Sequence, residues 1–334
     1  MVAASNRQIL LVQVPEGKLR PEDFALRQAE IPTAQDGDVT LRVRYLSLDA
    51  ASRAWMHGAT YRDAVVAGSV MAGAAVAEVV ASKAPAFAPG DLVFADTGWQ
   101  EYAVLPAKRL IRLPKLEPMT HLLSVYGIAG LTAYFGLLKI AAPRPPETVV
   151  VSAAAGSVGS LAGQIAKIKG CRVVGIAGGQ AKCDWLLREL NFDAAVDYKA
   201  GNTFKALKEA APKGIDVYFD NVGGEIFEAC LAQMNIGGRI CCCGAISAYD
   251  AAPPTTGPRG VPGLIVIKRL TVRGFIVSDF FAERDVAIAE LKGWVEAKQL
   301  KVPEDVIEGL ENTPAALIGL LAGENRGKRM LKVA

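Results

Sequence analysis

The chain has 334 residues, 51% hydrophobic and 21% charged, which suits two hydrophobic cores better than one. A net charge of +3 with no Lys/Arg run leaves no basis for an electrostatic nucleic-acid or anionic-membrane binder. No apolar stretch approaches the roughly 18–20 residues of a membrane span, and the N-terminus lacks the basic segment and long apolar core of a signal peptide.

The first third reads as β. "QILLVQV", "VTLRVRYLSLD", "MAGAAVAEVVA", "LVFAD" and "QEYAVLP" are short β-branched or alternating runs. Turn signals at Pro15–Gly17, Asp36–Asp38 and "AFAPGD" separate them, and together they predict a compact, barrel-like β domain. From Leu122 the spacing becomes helical through "LLSVYGIAGLTAYFGLLKI", until "AAPRPPE" stops it. Strands and helices then alternate. Strand Thr148–Ser152 precedes helix Ser157–Lys169, and strand Arg172–Ile176 precedes helix Ala181–Leu190. Strand Ala194–Asp197 leads to helix Asn202–Ala211, and strand Asp216–Asp220 leads to helix Glu225–Gln233 and strand Gly238–Cys243. Such alternation with short connections predicts a doubly wound parallel sheet in an α/β protein. A Pro/Gly-rich surface loop at 251–263, a strand "LTVRGFIVS" and a helix Glu283–Lys298 complete this block, and the tail returns to β and short helix. The expected domains are 1–124 with 299–334, interrupted by 125–298.

The stretch "VVVSAAAGSVGSLAGQIAKIKG" resembles a dinucleotide turn whose first glycine is replaced: Ala154-x-Gly156-x-x-Gly159. The first position supports a tight turn, and alanine serves there if its dihedrals stay negative. Gly156 and Gly159 hold the places of close pyrophosphate approach and helix–strand packing. A strand before and a helix after supply the context that a plain strand-to-helix turn would share only in part. Backbone N–H groups and the helix dipole then face a phosphate. An NAD site places a carboxylate at the end of the second strand, but Gly175 through Gln180 contain none and Lys182 follows. A cation without the acid favours the 2′-phosphate of NADP, and Tyr198 in "VDYK" adds a hydroxyl. Lys182 taken alone reads equally as a solvated helix residue.

The six cysteines, Cys171, Cys183, Cys230, Cys241, Cys242 and Cys243, lack paired spacing and read as reduced thiols of a cytoplasmic protein. A catalytic zinc needs three protein ligands, yet the β region has no cysteine and only His57 and His121. His57 reads as loop surface and His121 as a helix-start residue, so no metal is expected. No tyrosine has a lysine four residues on, which removes a short-chain dehydrogenase.

The β–Rossmann–β order with "GLTAYFGL" (Gly130–Leu137), "SAAAGSVGS", "YFDNVGGEI", "CGAIS-x-Y" and "GENRGK" resembles the zinc-independent medium-chain dehydrogenases/reductases. Within that superfamily it is most similar to the prostaglandin reductase, alkenal double-bond reductase and curcumin reductase branch. The resemblance runs nearly end to end. It implies a GroES-like β-rich catalytic domain beside the Rossmann domain, and NADPH-dependent reduction of the carbon–carbon double bond of α,β-unsaturated ketones and aldehydes. By the same resemblance Ala155, Gly156, Ser157, Val158 and Gly159 form the pyrophosphate turn, and Lys182 and Tyr198 hold the 2′-phosphate. Asn221, at a strand's carboxyl end, meets the ligand. Cys243, Gly244, Ala245, Ile246 and Ser247 form the loop over the nicotinamide half. Phe275, Ile276 and Val277 form a strand whose backbone holds the carboxamide, and Asn325 reaches the cofactor from the last segment.

Reduction of an enone places negative charge on the carbonyl oxygen, so a neutral donor is needed there, and tyrosine, with pKa about 10, qualifies. Tyr249 is the candidate, with a tyrosine packed at a loop start as the alternative. One departure concerns specificity: relatives read "LSLDPYMRGRM" where this chain reads "LSLDAASRAWM", so Ala50 and Ala51 replace a Pro–Tyr pair. Tyr61 is a candidate replacement for the lost substrate contact, or a surface tyrosine. A quinone reductase of the same superfamily and a non-catalytic NADPH-binding protein are the competing readings. The family further implies a homodimer, with Leu270–Ser278 pairing edge to edge.

Overall fold

The computed structural model describes residues 5–250 and 257–333. The first part of the Pro/Gly-rich loop, 251–256, therefore lies outside the described residues. The chain divides into two units: Met1–Leu123 with Asp305–Glu324 and Arg329–Ala334, and Ser124–Glu304 with Asn325–Lys328.

The first unit opens with β1 (Ser5–Leu11), β2 (Phe24–Glu30) and β3 (Asp38–Ser47), then α1 (Ala51–Ala54), β4 (Ala74–Ser82), β5 (Leu92–Asp96), β6 (Tyr102–Pro106) and β7 (Ile111–Leu113). β3 alternates, so Val39, Leu41 and Val43 point inward. β2 is absent from the expected elements because "FALRQAE" is rich in helix formers. Antiparallel pairing with β1 along its whole length, Ser5↔Glu30 to Leu11↔Phe24, overrides that propensity. Phe24 stacks on buried Trp99, ring centroids 5.6 Å apart.

The second unit runs α2 (Ile128–Phe135), β8 (Thr148–Ser152), α3 (Ser157–Ile168), β9 (Arg172–Ala177), α4 (Gln180–Arg188), β10 (Ala194–Asp197), α5 (Thr203–Ala210), β11 (Ile215–Asp220), α6 (Gly224–Gln233), β12 (Met234–Cys242), α7 (Gly263–Lys268), β13 (Thr271–Gly274) and α8 (Arg284–Glu296). Its six strands are ordered β10-β9-β8-β11-β12-β13, all parallel. β8 is buried at every position, as a strand covered on both faces must be. The chain leaves β8 toward one edge and returns beside it as β11. That reversal opens a crevice at the carboxyl ends of β8 and β11. The expected strand 270–278 stops at Gly274: β13 pairs with β12 only over Arg239–Cys242, and beyond that point the Cys243 N–H turns to Asp220 O instead. Helix α7 begins at Gly263, where the sequence reads as loop.

The first unit is completed by β14 (Glu304–Glu308), α9 (Thr313–Leu321) and β15 (Lys328–Lys332), giving a sheet ordered β14-β15-β3-β4-β5-β7 with β6 also on β3. Residues 299–304 and 325–328 were expected with this β domain but fall in the second unit. Two bonds explain it. The Gln164 amide brackets the Lys301 backbone, donating to its O at 3.0 Å and accepting from its N at 2.8 Å. The Gly327 N–H donates to Ala155 O at 2.8 Å. Among the described residues no helix is long and apolar enough to cross a membrane.

Candidate active site

The turn between β8 and α3 is built by removing side chains. Ala153 sits in the left-handed region at φ 47°, whereas Ala154, the first fingerprint position, does not. The strain of this turn therefore falls one residue earlier than the expected position. Gly156 is extended and needs no special φ, but its N–H donates to Ala153 O at 2.9 Å. Gly159 is required for space: a Cβ there would lie 2.4 Å from the same oxygen. Ser157 opens α3, and its Oγ is buried with no hydrogen-bond partner among the described residues. An orphan hydroxyl beside the unsatisfied N–H groups of a helix's first turn fits an anionic group such as a pyrophosphate. Gly156 also bridges Gly327, which brings buried Asn325 to the turn; the Asn325 amide donates to Gly327 O at 2.8 Å.

The ends of β9 and β10 meet next. Asp197 Oδ1 accepts the Gly179 N–H at 2.8 Å and the Lys199 N–H at 2.9 Å, tying the two turns together. Tyr198 lies over Gly178, where a Cβ would be 3.0 Å from the phenol oxygen. Lys182 stands in the first turn of α4, on the same β9–α4 connection.

At the end of β11 the structure adds a residue that the sequence reading missed. Asp220 is buried, and its Oδ1 accepts from Tyr218 Oη at 2.7 Å, Val222 N at 2.9 Å, Gly223 N at 3.0 Å and Ser152 Oγ at 3.1 Å. Four donors on one oxygen are suited to a charged carboxylate. Its backbone O takes the N–H groups of Cys243 and Gly244. Asn221 ties β11 to β8: its amide donates to Ser152 O at 2.7 Å and its N–H to Ser152 Oγ at 2.9 Å. The 243–247 loop is fastened to this turn, Ile246 N to Asn221 O and Ser247 Oγ to Val222 O at 2.6 Å. Burial, with Asp220's charge adding to it, pushes the Cys243 thiol up to about 12. Tyr249 folds back over this loop, its hydroxyl accepting the Ala245 N–H at 3.2 Å. An aspartate before Asn-Val-Gly-Gly reads as an ordinary turn residue, so only its burial reveals this role.

The segment 275–277, expected as strand, is irregular at Phe275 and Ile276 and enters a 3-10 turn at Val277. It is anchored by packing instead: a Cβ on Gly136 would lie 2.6 Å from the Phe275 ring, and Phe275 meets Phe280 edge-on at 6.3 Å.

Comparison with known proteins identifies the family. Residues 7–113 match a family described as the N-terminal domain of oxidoreductase, and residues 157–292 one described as zinc-binding dehydrogenase. Prostaglandin reductase 1 of Bos taurus is 44% identical over 93% of this chain and 94% of its own. The NADPH-dependent curcumin reductase of Escherichia coli (strain K12) is 40% identical over 98% of this chain and 97% of that protein. CurA from Vibrio vulnificus, solved alone and with NADPH, is 40% identical with a TM-score of 0.94, over 98% of this chain and 99% of that one. This chain belongs to the medium-chain dehydrogenase/reductase superfamily. It falls in the zinc-independent branch of the prostaglandin and curcumin reductases.

In this medium-chain reductase no group of three or more His, Cys, Asp or Glu able to hold a metal occurs among the described residues. All six cysteines are free, and His57 is exposed. In the first unit, Ala50 and Ala51 pack against the core that contains Trp55 and Met56. Tyr61 is 59% exposed but not loose: its hydroxyl accepts Trp55 Nε1–H at 3.2 Å, and the rings meet edge-on. The Arg62 guanidinium lies 4.4 Å over the same Trp55 ring and pairs with Asp96 at 2.7 Å.

Proposed function

We propose that this chain uses NADPH to reduce the carbon–carbon double bond of α,β-unsaturated ketones or aldehydes. The observation that carries the reading is the buried Ser157 hydroxyl at the start of α3, which has no partner among the described residues, in a chain 40% identical over 98% of its length to an NADPH-dependent curcumin reductase. Ala155 through Gly159 hold the pyrophosphate through backbone N–H groups and the Ser157 hydroxyl. Lys182 and Tyr198 take the 2′-phosphate. Asn221, the 243–247 loop, Phe275–Val277 and Asn325 border the nicotinamide half.

When bound, NADPH supplies the hydride that the substrate's β-carbon receives. The chain's own task is the charge that gathers on the carbonyl oxygen, which the Tyr249 O–H meets as donor. A proton drawn from solvent and added at the α-carbon completes saturation. Tyr61, held by Trp55, is the proposed substrate contact in place of the tyrosine absent at Ala50–Ala51.

The exposed edge of β13, open beyond its pairing with β12, supports a homodimer formed about a two-fold axis. Sedimentation giving a monomer at micromolar concentration removes that part. Six free thiols support a cytoplasmic location.

The test is NADPH oxidation, followed by absorbance, against long-chain 2-alkenals, an aryl enone, a dienone and a quinone, with NADH in parallel. Enone turnover with NADPH preferred is the expected result, and Tyr249→Phe then lowers kcat. Turnover of the quinone alone assigns a quinone reductase, and NADPH binding without any turnover assigns a non-catalytic protein.

A further inference from the structure

We infer that Lys199 is a second cationic contact for the 2′-phosphate and thereby sets the preference for NADPH over NADH; the inference rests on the NADPH reading above. The connection after β9, Gly178-Gly179-Gln180, offers no carboxylate to a ribose hydroxyl. The nearest acid along the sheet edge, Asp197, spends Oδ1 on two backbone N–H groups, those of Gly179 and Lys199. Its role is to hold the Tyr198–Lys199 turn against the β9–α4 turn, and Tyr198 N adds a bond to Ala177 O at 3.2 Å.

With the backbone so fixed, both side chains converge over Gly178. A Cβ at that position would lie 2.9 Å from Lys199 Cε and 3.0 Å from the Tyr198 hydroxyl. An exposed lysine ordinarily extends into solvent, whereas this one lays its stem along a glycine beside a phenol. Its ammonium is 5.9 Å from the centre of the Tyr198 ring and forms no salt bridge with any described carboxylate. The result is a cation and a hydroxyl side by side in the turn after β10, which Asp197 ties to the β9–α4 turn that leads into the helix carrying Lys182. A phosphate monoester carries a charge of roughly −1.5 to −2 near neutral pH and accepts through three oxygens, so it suits two cations and a hydroxyl. A ribose hydroxyl gains little from either cation. The discrimination therefore falls on the nucleotide's phosphate and leaves its other parts untouched.

The experiment compares Lys199→Met and Lys199→Arg with the wild-type chain, using fluorescence titration of NADPH and NADH and steady-state kinetics with one enone. Adenosine 2′-monophosphate and adenosine 5′-monophosphate serve as competing ligands. Lys199→Met is expected to raise the Kd and KM for NADPH about ten-fold with kcat within about two-fold, because a hydrogen bond to a charged group is lost. NADH constants stay in place, inhibition by the 2′-monophosphate weakens in step, and Lys199→Arg keeps most of the affinity. Unchanged NADPH affinity, or NADPH and NADH weakened alike, overturns the inference. A wild-type chain that binds NADH as tightly as NADPH overturns the cofactor reading itself. Absent enone turnover touches only the substrate class, since the titrations still report on Lys199.

Discussion

The turns after β8 and β11 lie next to each other at one end of the same parallel sheet, and they are built in opposite ways. The β8 turn carries almost no side chain: three alanines and Gly156 lead to Ser157, whose buried Oγ has no partner among the described residues. The β11 turn carries a buried carboxylate, and Asp220 Oδ1 consumes four donors between 2.7 and 3.1 Å. One turn leaves hydrogen-bonding capacity open while the other uses it internally. Open capacity marks the surface that receives a ligand, and filled capacity marks what keeps that surface in shape.

Changing one residue at a time tests this contrast. Gly159→Ala has the largest expected effect, because the new Cβ would stand 2.4 Å from Ala153 O and 3.0 Å from Ala154 Cα. Denaturant titration should show a loss of about 3 kcal/mol, together with loss of NADPH binding. An unchanged midpoint would mean that α3 does not press on the turn. Asp220→Asn follows: the amide oxygen can still face the four donors but without the charge that strengthens those bonds, and about 2 kcal/mol of stability should go. NADPH affinity should fall less than ten-fold in that variant, since its donors are elsewhere. Ser157→Ala should do the reverse. Unliganded stability stays level, because no bond is lost, while the NADPH Kd rises about five-fold. If the unliganded protein melts earlier instead, the hydroxyl has a structural partner and the contrast fails.

Ala153→Gly is smaller still. Left-handed alanine costs about 1–2 kcal/mol, and glycine's extra unfolded-state freedom returns about 0.5–1 kcal/mol of that. A net gain of about 0–1.5 kcal/mol is expected, and a fall in stability would place the strain elsewhere. The smallest effect is chemical. Burial, then the charge of Asp220, raises the Cys243 thiol to about 12, so it is protonated near neutral pH and alkylates slowly. Its rate should climb as pH rises toward that value. Asp220→Asn removes one of the raising influences and should speed alkylation near neutrality, which rate measurements with iodoacetamide would reveal.

Much of the second unit was legible because its elements are local. The expected strands Thr148–Ser152 and Ala194–Asp197 coincide with β8 and β10, and Asn202 caps α5 by accepting the Lys205 N–H at 3.0 Å. Apolar runs with small residues at their ends announce a strand-to-helix turn wherever they occur. β2 was not legible, since its pairing partner β1 lies a turn away and its own residues favour helix. The early end of β13 was hidden for the same reason: "GFIVS" reads as strand, but past Cys242 the N–H groups of Cys243 and Gly244 both go to Asp220 O of β11. Lys199 was hidden in a different way. One lysine after a tyrosine is unremarkable until Gly178 is found beneath both.

The sequence by itself determined the α/β alternation, the small-residue turn between β8 and α3 and the missing acid after β9, because each depends on residues within a few positions of one another. The tertiary structure alone decided that Asp220 braces three strand ends, that Asn325 reaches the β8–α3 turn through Gly327, and that residues 299–304 join the second unit. Those facts rest on burial and on bonds between residues distant in the chain. A carboxylate in water and one enclosed by four donors have the same letter, and only the fold distinguishes them.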